Sequence, residues 1–303
     1  MLCLLVFFSL PKVKACDICG CSGSSGGNGI IPQFKKNFIG IMHGNATFRS
    51  KHLPDLISGQ SESHSNERFQ TLILWGRWHA HKRVQLFASM PYSFALKTEN
   101  GNRYPVNGWG DLSLWGNFIV VDYNDSQYHR NRHFLGFGAG AKLYTGNFNS
   151  ETLNEWVNIN MLPSTGTNDF LFQANYAFRR DNIGLSSNIL YQLMGKTATG
   201  YDFADRTLIA TDVLRWINTK KGKFLPKIGY WFEYASNDRM KNVILQYSGY
   251  QIHNLAIGLE YYTDSYGLIF HARHAMQHHV SLGLVTPGLR MNTTLIYFIK
   301  QKK

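Results

Sequence analysis

Long stretches of the chain alternate between apolar and polar residues with a period of two. The stretch 69–81, for example, places Leu72 and Leu74 on one face and Arg77 and His79 on the other. Successive side chains of a β-strand point to opposite faces, so this period predicts a strand with one apolar and one polar face. The chain is therefore expected to be all-β.

Twelve segments carry this pattern. Their lengths of about 10 to 14 residues exceed the roughly 5 to 6 of globular strands and match the roughly 9 to 11 that a strand needs to cross a bilayer. The predicted strands are Phe38–Phe48, Phe69–His81, Val84–Ala95, Asp111–Tyr123, His133–Thr145, Asp169–Arg179, Ile183–Met194, Thr207–Ile217, Phe224–Ala235, Asn254–Thr263, Tyr266–His274 and Leu289–Ile299. A further segment, Asn242–Tyr250, is either a strand or part of a long loop.

The connections between these segments alternate between long and short. Short links such as AHKR and RRDN alternate with longer polar ones such as KTENGNRYPVNGWG. Outer-membrane barrels have this arrangement, with short periplasmic turns and long external loops. The sequence therefore predicts an antiparallel meander transmembrane β-barrel of about 12 strands, embedded in the outer membrane of a Gram-negative bacterium. The alternative is a soluble secreted β-barrel that binds a ligand, which the strand lengths and the unequal connections disfavour.

Residues 1–15 predict a secretory signal peptide. Their apolar core, Leu2–Leu10, is shorter than the roughly 20 residues of a membrane-spanning helix, and the small residues Val13 and Ala15 fit a cleavage site before Cys16. A Cys/Gly/Ser-rich periplasmic leader is expected over 16–36, and the barrel over 37–303.

The formal net charge of +12 raises the question of a nucleic-acid partner. The basic residues are scattered, however, and no motif combines them with aromatic residues, so nucleic-acid binding is not expected. No nucleophile motif, paired-carboxylate motif, P-loop or dinucleotide fingerprint stands in a supporting context. The protein is therefore not expected to be an enzyme.

Three cysteines, Cys16, Cys19 and Cys21, stand in the leader with the spacing C-x-x-C-x-C. Thiolates at this spacing can bind a soft metal ion such as copper or zinc. Export also permits a disulfide with one thiol left over, and Cys16 could instead carry a lipid. The sequence leaves these three possibilities open.

His278 and His279 form a second set of candidate metal ligands. Both are expected in the connection that follows the strand Tyr266–His274, where their ring nitrogens could bind a soft or borderline metal. The alternative is that they are ordinary surface histidines.

Charged residues within the predicted strands indicate how the barrel interior is lined. A charge that faces lipid near the midplane costs about 2–4 kcal/mol, so these residues are expected to face the lumen or lie near a rim. A barrel of about 12 strands is narrow and holds either a small channel or a filling of side chains or plug. The candidate permeation residues are Arg77, His79, Lys142, Glu233, Glu260 and Arg273.

Glycines mark the ends of two predicted strands. Gly108 and Gly110 stand where a loop ends and a strand begins, and Gly146 follows another strand. Asp111 could accept hydrogen bonds from turn amides and hold the rim. We interpret these four residues as a structural motif, because glycine permits tight backbone turns.

Three further glycines, Gly136, Gly138 and Gly140, share one face of the strand His133–Thr145. A strand face without side chains permits sharp curvature or the close approach of an inner plug. We interpret this stripe as structural too.

Three stretches resemble one known family when they are taken in order. They are RVQLFASMPYSFALKTENGNRYPVNGWGDLSLWGNF, FLGFGAGAKLYTGNF and MLPSTGTNDFLFQANYAFRRDNIGLSSNILYQL, all within 83–193. This order is similar to that of the outer-membrane barrels grouped as the MetA-pathway phenol degradation family, distant relatives of the fatty-acid and hydrocarbon uptake channels. Thr145 stands where the family typically carries Pro, and the Cys-rich N-terminus resembles a Bacteroidetes-type variant. The resemblance implies an outer-membrane transporter.

Together these features predict a porin-like channel that passes a small solute or a metal ion passively through a polar lumen. The alternative is a non-transporting barrel that displays the Cys-rich leader as a metal-binding or redox sensor.

Overall fold

The structure, a computed structural model, describes residues 36–54, 62–122, 131–149 and 157–299. The expected signal peptide and the three leader cysteines lie outside the described residues. In the described part of the chain, no helix has the length and apolar character needed to span a membrane.

The described chain is built almost entirely from β-strands. In chain order these are β1 (Asn37–His52), β2 (Ser63–His81), β3 (Val84–Glu99), β4 (Asn102–Trp109), β5 (Leu112–Asp122), β6 (Asn131–Leu143), β7 (Asp169–Arg180), β8 (Ile183–Leu193), β9 (Tyr201–Asp202), β10 (Arg206–Arg215), β11 (Ile217–Asn218), β12 (Lys223–Ala235), β13 (Arg239–Met240), β14 (Val243–Ile244), β15 (Tyr250–Tyr262), β16 (Tyr266–Val280), β17 (Val285–Pro287) and β18 (Arg290–Ile299). Two 3-10 turns, Ile159–Met161 and Ser281–Gly283, lie between strands.

Twelve of these strands close into one antiparallel barrel. Their order around the ring is β1, β2, β3, β5, β6, β7, β8, β10, β12, β15, β16 and β18. The last strand returns to the first through nine residue pairs, from Asn37 opposite Ile299 to Asn45 opposite Met291. The predicted antiparallel meander barrel of about 12 strands is confirmed.

Several predicted connections are partly strand. The predicted loop after Ala95 contains β4, which pairs with residues 92–99 of β3 and lengthens that hairpin. Strand β16 continues to Val280, so the prediction that His278 and His279 lie in a connection is wrong. Pairing of these two residues with the start of β15 keeps their backbone extended.

The two ends of the barrel differ. One end has short turns, including 82–83 and 181–182, and β1 begins there at Asn37; we call it the short-turn end. The other carries long segments, including 144–168 and 236–249, and is called the long-loop end.

The outward-facing side chains are largely apolar and exposed. At the edges of this apolar surface, the rings of Tyr92 and Trp109 meet edge to face with 5.1 Å between their centres. The ring centres of Tyr266 and Tyr297 are 5.3 Å apart. An apolar band bordered by aromatic rings is the surface that a barrel presents to hydrocarbon. Members of the band include Ile39, Ile41, Leu72, Leu74, Leu86, Leu114, Phe118, Phe137, Phe172, Ile189, Val213, Ile228, Ile257 and Leu295.

A small sheet of β9, β13 and β14 forms at the long-loop end. Tyr201, Phe203 and Leu245 make an apolar cluster there. Asp238 accepts hydrogen bonds from the Tyr201 hydroxyl at 2.6 Å and from the Ala204 amide at 2.8 Å. Burial raises the pKa of Asp238, although these hydrogen bonds act in the opposite direction. The loops are thus joined by apolar packing and one buried carboxyl group.

The apolar band predicts how the barrel responds to an outward-facing charge. Ile257 is 52% exposed and pairs with Ile228 and Ala272 on its two neighbouring strands. Ile257→Arg should lower the free energy of unfolding in a lipid bilayer by about 2–4 kcal/mol, because it places a cation in hydrocarbon. Urea unfolding in vesicles, followed by tryptophan fluorescence, measures this change. Val243→Arg, at an exposed position in the long-loop sheet, is the matched control, and equal effects of the two substitutions would refute the assigned band.

Candidate permeation lumen

The six residues predicted to contact the lumen have inward-facing positions on their strands. Five of them are buried, and His79 is half-buried near the short-turn end. The buried five are Arg77, Lys142, Glu233, Glu260 and Arg273. They are distributed over several networks of buried polar groups.

Glu233 of β12 binds two arginines from other strands. Its Oε1 lies 3.3 Å from Arg273 Nη1, and its Oε2 lies 2.9 Å from Arg290 Nη1. Asn254 Nδ2 donates to Glu233 Oε1 at 3.0 Å, and the Arg273 guanidinium lies 4.7 Å from the centre of the Trp231 ring. One carboxylate therefore joins β12 to β16 and β18 across the interior.

Glu260 of β15 belongs to a second network. Lys227 Nζ lies 2.9 Å from Glu260 Oε1 and 3.4 Å from Asp212 Oδ2. The Tyr262 hydroxyl donates to Glu260 Oε2 at 2.7 Å, and His271 Nε2 lies 3.4 Å from Glu260 Oε1. Buried ions need partners because each loses its hydration, and here every charge has one.

Arg77 and His79 lie near the short-turn end. Arg77 donates to the Lys36 carbonyl at 3.0 Å, and its guanidinium lies 5.2 Å from the centre of the Phe38 ring. The His79 amide donates to Asn37 Oδ1 at 2.8 Å. These contacts fasten the first residues of β1 to β2.

Lys142 binds two buried carboxylates near the long-loop end. Its Nζ lies 2.8 Å from Asp111 Oδ2 and 3.0 Å from Asp169 Oδ2. It also donates to the Thr165 hydroxyl, and the Ser164 hydroxyl donates to Asp111 Oδ1 at 2.6 Å. This network ties the segment between β6 and β7 to the barrel wall.

Part of that segment folds inward, into the interior of the barrel. Residues 157–168, which we call the inward segment, place Val157 and Met161 in an apolar cluster with Phe48, Phe69 and Ile252 of the wall. Met161 is 1% exposed. The sequence pattern predicts an ordinary long loop here, although the apolar pair Met161 and Leu162 within it is a signal of burial.

Gly108, Gly110 and Gly146 lie where the chain around 108–110 and around 146–147 crosses the inward segment at Pro163. A Cβ at Gly146 would stand 2.5 Å from the Gly110 carbonyl carbon, and one at Gly110 would stand 2.8 Å from the Pro163 carbonyl oxygen. A Cβ at Gly108 would stand 2.9 Å from Asn147 Oδ1. Only glycine permits this approach without movement of the backbone.

Apolar clusters fill the lumen towards both ends. The inward segment and its contacts form one at the long-loop end. At the short-turn end, buried apolar side chains from seven barrel strands pack together. This second cluster includes Phe38, Trp75, Leu214, Leu225, Tyr262, Ile269 and Phe298. The lumen is therefore narrow towards both ends.

The glycine stripe of β6 faces the lumen. A Cβ at Gly140 would stand 2.3 Å from Trp115 Cβ, and one at Gly136 would stand 2.8 Å from Asn117 Nδ2. The missing side chains let Trp115 and Asn117 of β5 lie across β6. Between the two apolar clusters this leaves a cavity of about 70 Å³, with Gly138 in its wall.

The two candidate histidine ligands, His278 and His279, are not brought together around one site. His278 and His279 are neighbours on β16 and so point to opposite faces. Among the described residues, no group of three or more His, Cys, Asp or Glu side chains could hold a metal ion. Cys16, Cys19 and Cys21 lie outside the described residues.

The Lys142 network predicts the effect of removing its cation. Lys142→Met keeps most of the side-chain volume but leaves two buried carboxylates without an ionic partner. We expect the free energy of unfolding to fall by about 3–5 kcal/mol, and proteases to cut the inward segment faster. Urea unfolding in detergent and timed proteolysis measure the two effects. Lys220→Met, at an exposed turn, is the control, and a change below about 0.5 kcal/mol for Lys142→Met would contradict the assigned role.

Solved outer-membrane barrels are similar to this structure. The COG4313 outer membrane channel from Pseudomonas putida F1 has a TM-score of 0.61 and 13% identity, covering 90% of this chain and 98% of that chain. The transport unit of the autotransporter AIDA-I from Escherichia coli has a TM-score of 0.46 and 10% identity, covering 90% and 92%. The KdgM porin has a TM-score of 0.36 and 10% identity, covering 85% and 99%. No protein-family profile and no curated protein matches the sequence. The first likeness shows that this chain has the fold of an outer-membrane channel.

Proposed function

We propose that the protein is an outer-membrane channel that passes a small solute passively, with the inward segment controlling access to its lumen. The observation that carries this proposal is a closed barrel whose interior holds a cavity lined by amide and apolar side chains, beneath a loop segment that turns inward. The similarity to a solved channel over 90% of the chain supports it, as does the apolar outer band.

Control by the inward segment follows from how it is attached. Val157 and Met161 hold it through apolar contacts, the Ser164 hydroxyl donates to Asp111, and Lys142 donates to the Thr165 hydroxyl. The segment lies between β6 and β7, at the long-loop end, so it can move without breaking the hydrogen bonds of the ring. Outward movement would open the lumen at the end that we assign to the cell exterior.

The motif residues also support the proposed kinship with the MetA-pathway phenol degradation family. Gly108, Gly110 and Gly146 come from two of the three stretches that carry the resemblance, and they meet at one crossing beside Pro163 of the third. A shared crossing gives a structural reason for these motifs to occur together.

Single-channel recording in planar bilayers tests the channel function. Burial of an apolar side chain of this size stabilises the closed form by about 1.5–3 kcal/mol. The double substitution Val157→Ser and Met161→Ser should therefore raise the ratio of open to closed time at least about tenfold.

Val243→Ser, at an exposed position of the long-loop sheet, is the matched control and should leave the recordings unchanged. If neither the unmodified protein nor the double variant conducts, although both show the folded-barrel shift in gel mobility, the proposed function is wrong.

A second candidate function is a barrel that anchors a metal-binding leader. The apolar filling at both ends of the lumen favours it, since an anchor needs no open route. Elemental analysis tests it: copper or zinc should co-purify with the full chain and disappear when Cys16, Cys19 and Cys21 are changed to Ser. His278→Ala is the control and should retain the metal, because His278 and His279 point to opposite faces. Equal metal content with and without the cysteines would refute this candidate.

A further inference from the structure

The cavity within the lumen is lined mainly by uncharged side chains, both amide and apolar. It lies along the inner wall from β2 to β8. Its volume of about 70 Å³ is enough for roughly five water-sized groups. Six amide side chains line it: Gln85, Asn117, Gln173, Asn175, Asn188 and Gln192.

Three buried atoms of cavity-lining residues have no hydrogen-bond partner among the described residues: Trp75 Nε1, Asn117 Oδ1 and Asn188 Oδ1. The side chains are 5%, 3% and 8% exposed, respectively. The amide nitrogens are already engaged, since Asn117 donates to Gln85 at 3.1 Å and Asn188 donates to Asn175. A buried polar atom without a partner costs about 1–3 kcal/mol. One donor and two acceptors on residues that line the cavity are therefore left for a ligand to satisfy.

The charges around the cavity disfavour a cation. Lys142 and Arg77 both line it, and no carboxylate does among the described lining residues. The carboxylates nearest to Lys142, those of Asp111 and Asp169, are bound to its ammonium group. A metal ion would meet two positive charges here, whereas a neutral solute would meet amides.

The hydrogen-bonding pattern selects a hydroxyl-bearing solute. Each hydroxyl group both donates and accepts, so a molecule with several of them could satisfy the Trp75 nitrogen and both asparagine oxygens. The ring faces of Phe87 and Trp115, stacked at 5.0 Å, supply an apolar side to the cavity for carbon atoms.

We infer that this cavity is the recognition site for a small neutral polyol. The inference rests on the proposed channel function and names its solute class. Asn117 and Asn188 accept hydrogen bonds from the solute, Trp75 donates one, and the glycine stripe of β6 provides the space.

Osmotic swelling of reconstituted vesicles tests the inference, with glycerol as the polyol. β-Alanine, a zwitterion with the same number of non-hydrogen atoms, is the comparison solute, and rates from protein-free vesicles are subtracted. The protein-mediated flux of glycerol should exceed that of β-alanine. Because a net hydrogen bond is lost, Asn117→Leu and Asn188→Leu should each lower glycerol flux about fivefold and leave β-alanine flux unchanged.

Asn188→Ser keeps a hydroxyl group and should restore part of the glycerol flux. Asn218→Leu, at an exposed position at the short-turn end, should behave like the unmodified chain. If Asn117→Leu does not fold, the two Asn188 variants carry the test, and gel mobility before and after boiling identifies folded barrels.

The outcomes separate the two proposals. If the protein conducts ions but the folded Asn188→Leu variant passes glycerol at the original rate, the polyol site is wrong and the channel function stands. Equal flux of glycerol and β-alanine has the same consequence. If there is neither ionic conductance nor solute flux, the channel function fails, and the polyol inference fails with it.

Discussion

Closure of the strand ring is the constraint on which the rest of this structure depends. Hydrocarbon offers no partners to backbone N–H and C=O groups, so a membrane-crossing sheet must pair every strand on both sides. The pairing of β18 with β1 meets this requirement by joining the two ends of the described chain. Closure also gives every strand an inner and an outer face. Because alternate residues point to opposite faces, one set of alternating residues lines the lumen and the other forms the lipid-facing band.

A ring of twelve strands encloses little space, and the charges within it cannot be well hydrated. Charged side chains in the interior are therefore paired with opposite charges on other strands. Glu233 links three strands through two arginines, and Lys142 lies between Asp111 and Asp169. Such pairs add specificity more reliably than stability, because each fixes which side chains can be neighbours. The same pairing leaves amide and apolar side chains as most of the remaining cavity lining, which suits a neutral solute better than an ion.

The absence of side chains along part of β6 shapes the interior as much as the charges do. Gly136, Gly138 and Gly140 allow Trp115 and Asn117 to lie across the strand, and the cavity forms beside them. At the long-loop end, Gly108, Gly110 and Gly146 let the chain cross itself closely beside Pro163 of the inward segment. Glycines in this barrel thus mark the positions where the lumen is narrowed and where it is left open.

The sequence by itself determined the fold class, the twelve barrel strands and the unequal ends, because these follow from local periodicity and connection length. It also indicated which face of each strand carries charge, since a cation or carboxylate facing lipid is costly. Only the tertiary structure decided which charges pair, because Glu233 and Arg290 are distant in sequence and meet through ring closure and strand stagger. It likewise decided that residues 157–168 turn inward, because that depends on an apolar surface assembled from Phe48, Phe69 and Ile252, which no local pattern brings together. The extension of β16 through His278 and His279 was missed for the same reason, since cross-strand hydrogen bonds with β15, and not the pattern of those residues, hold that backbone extended.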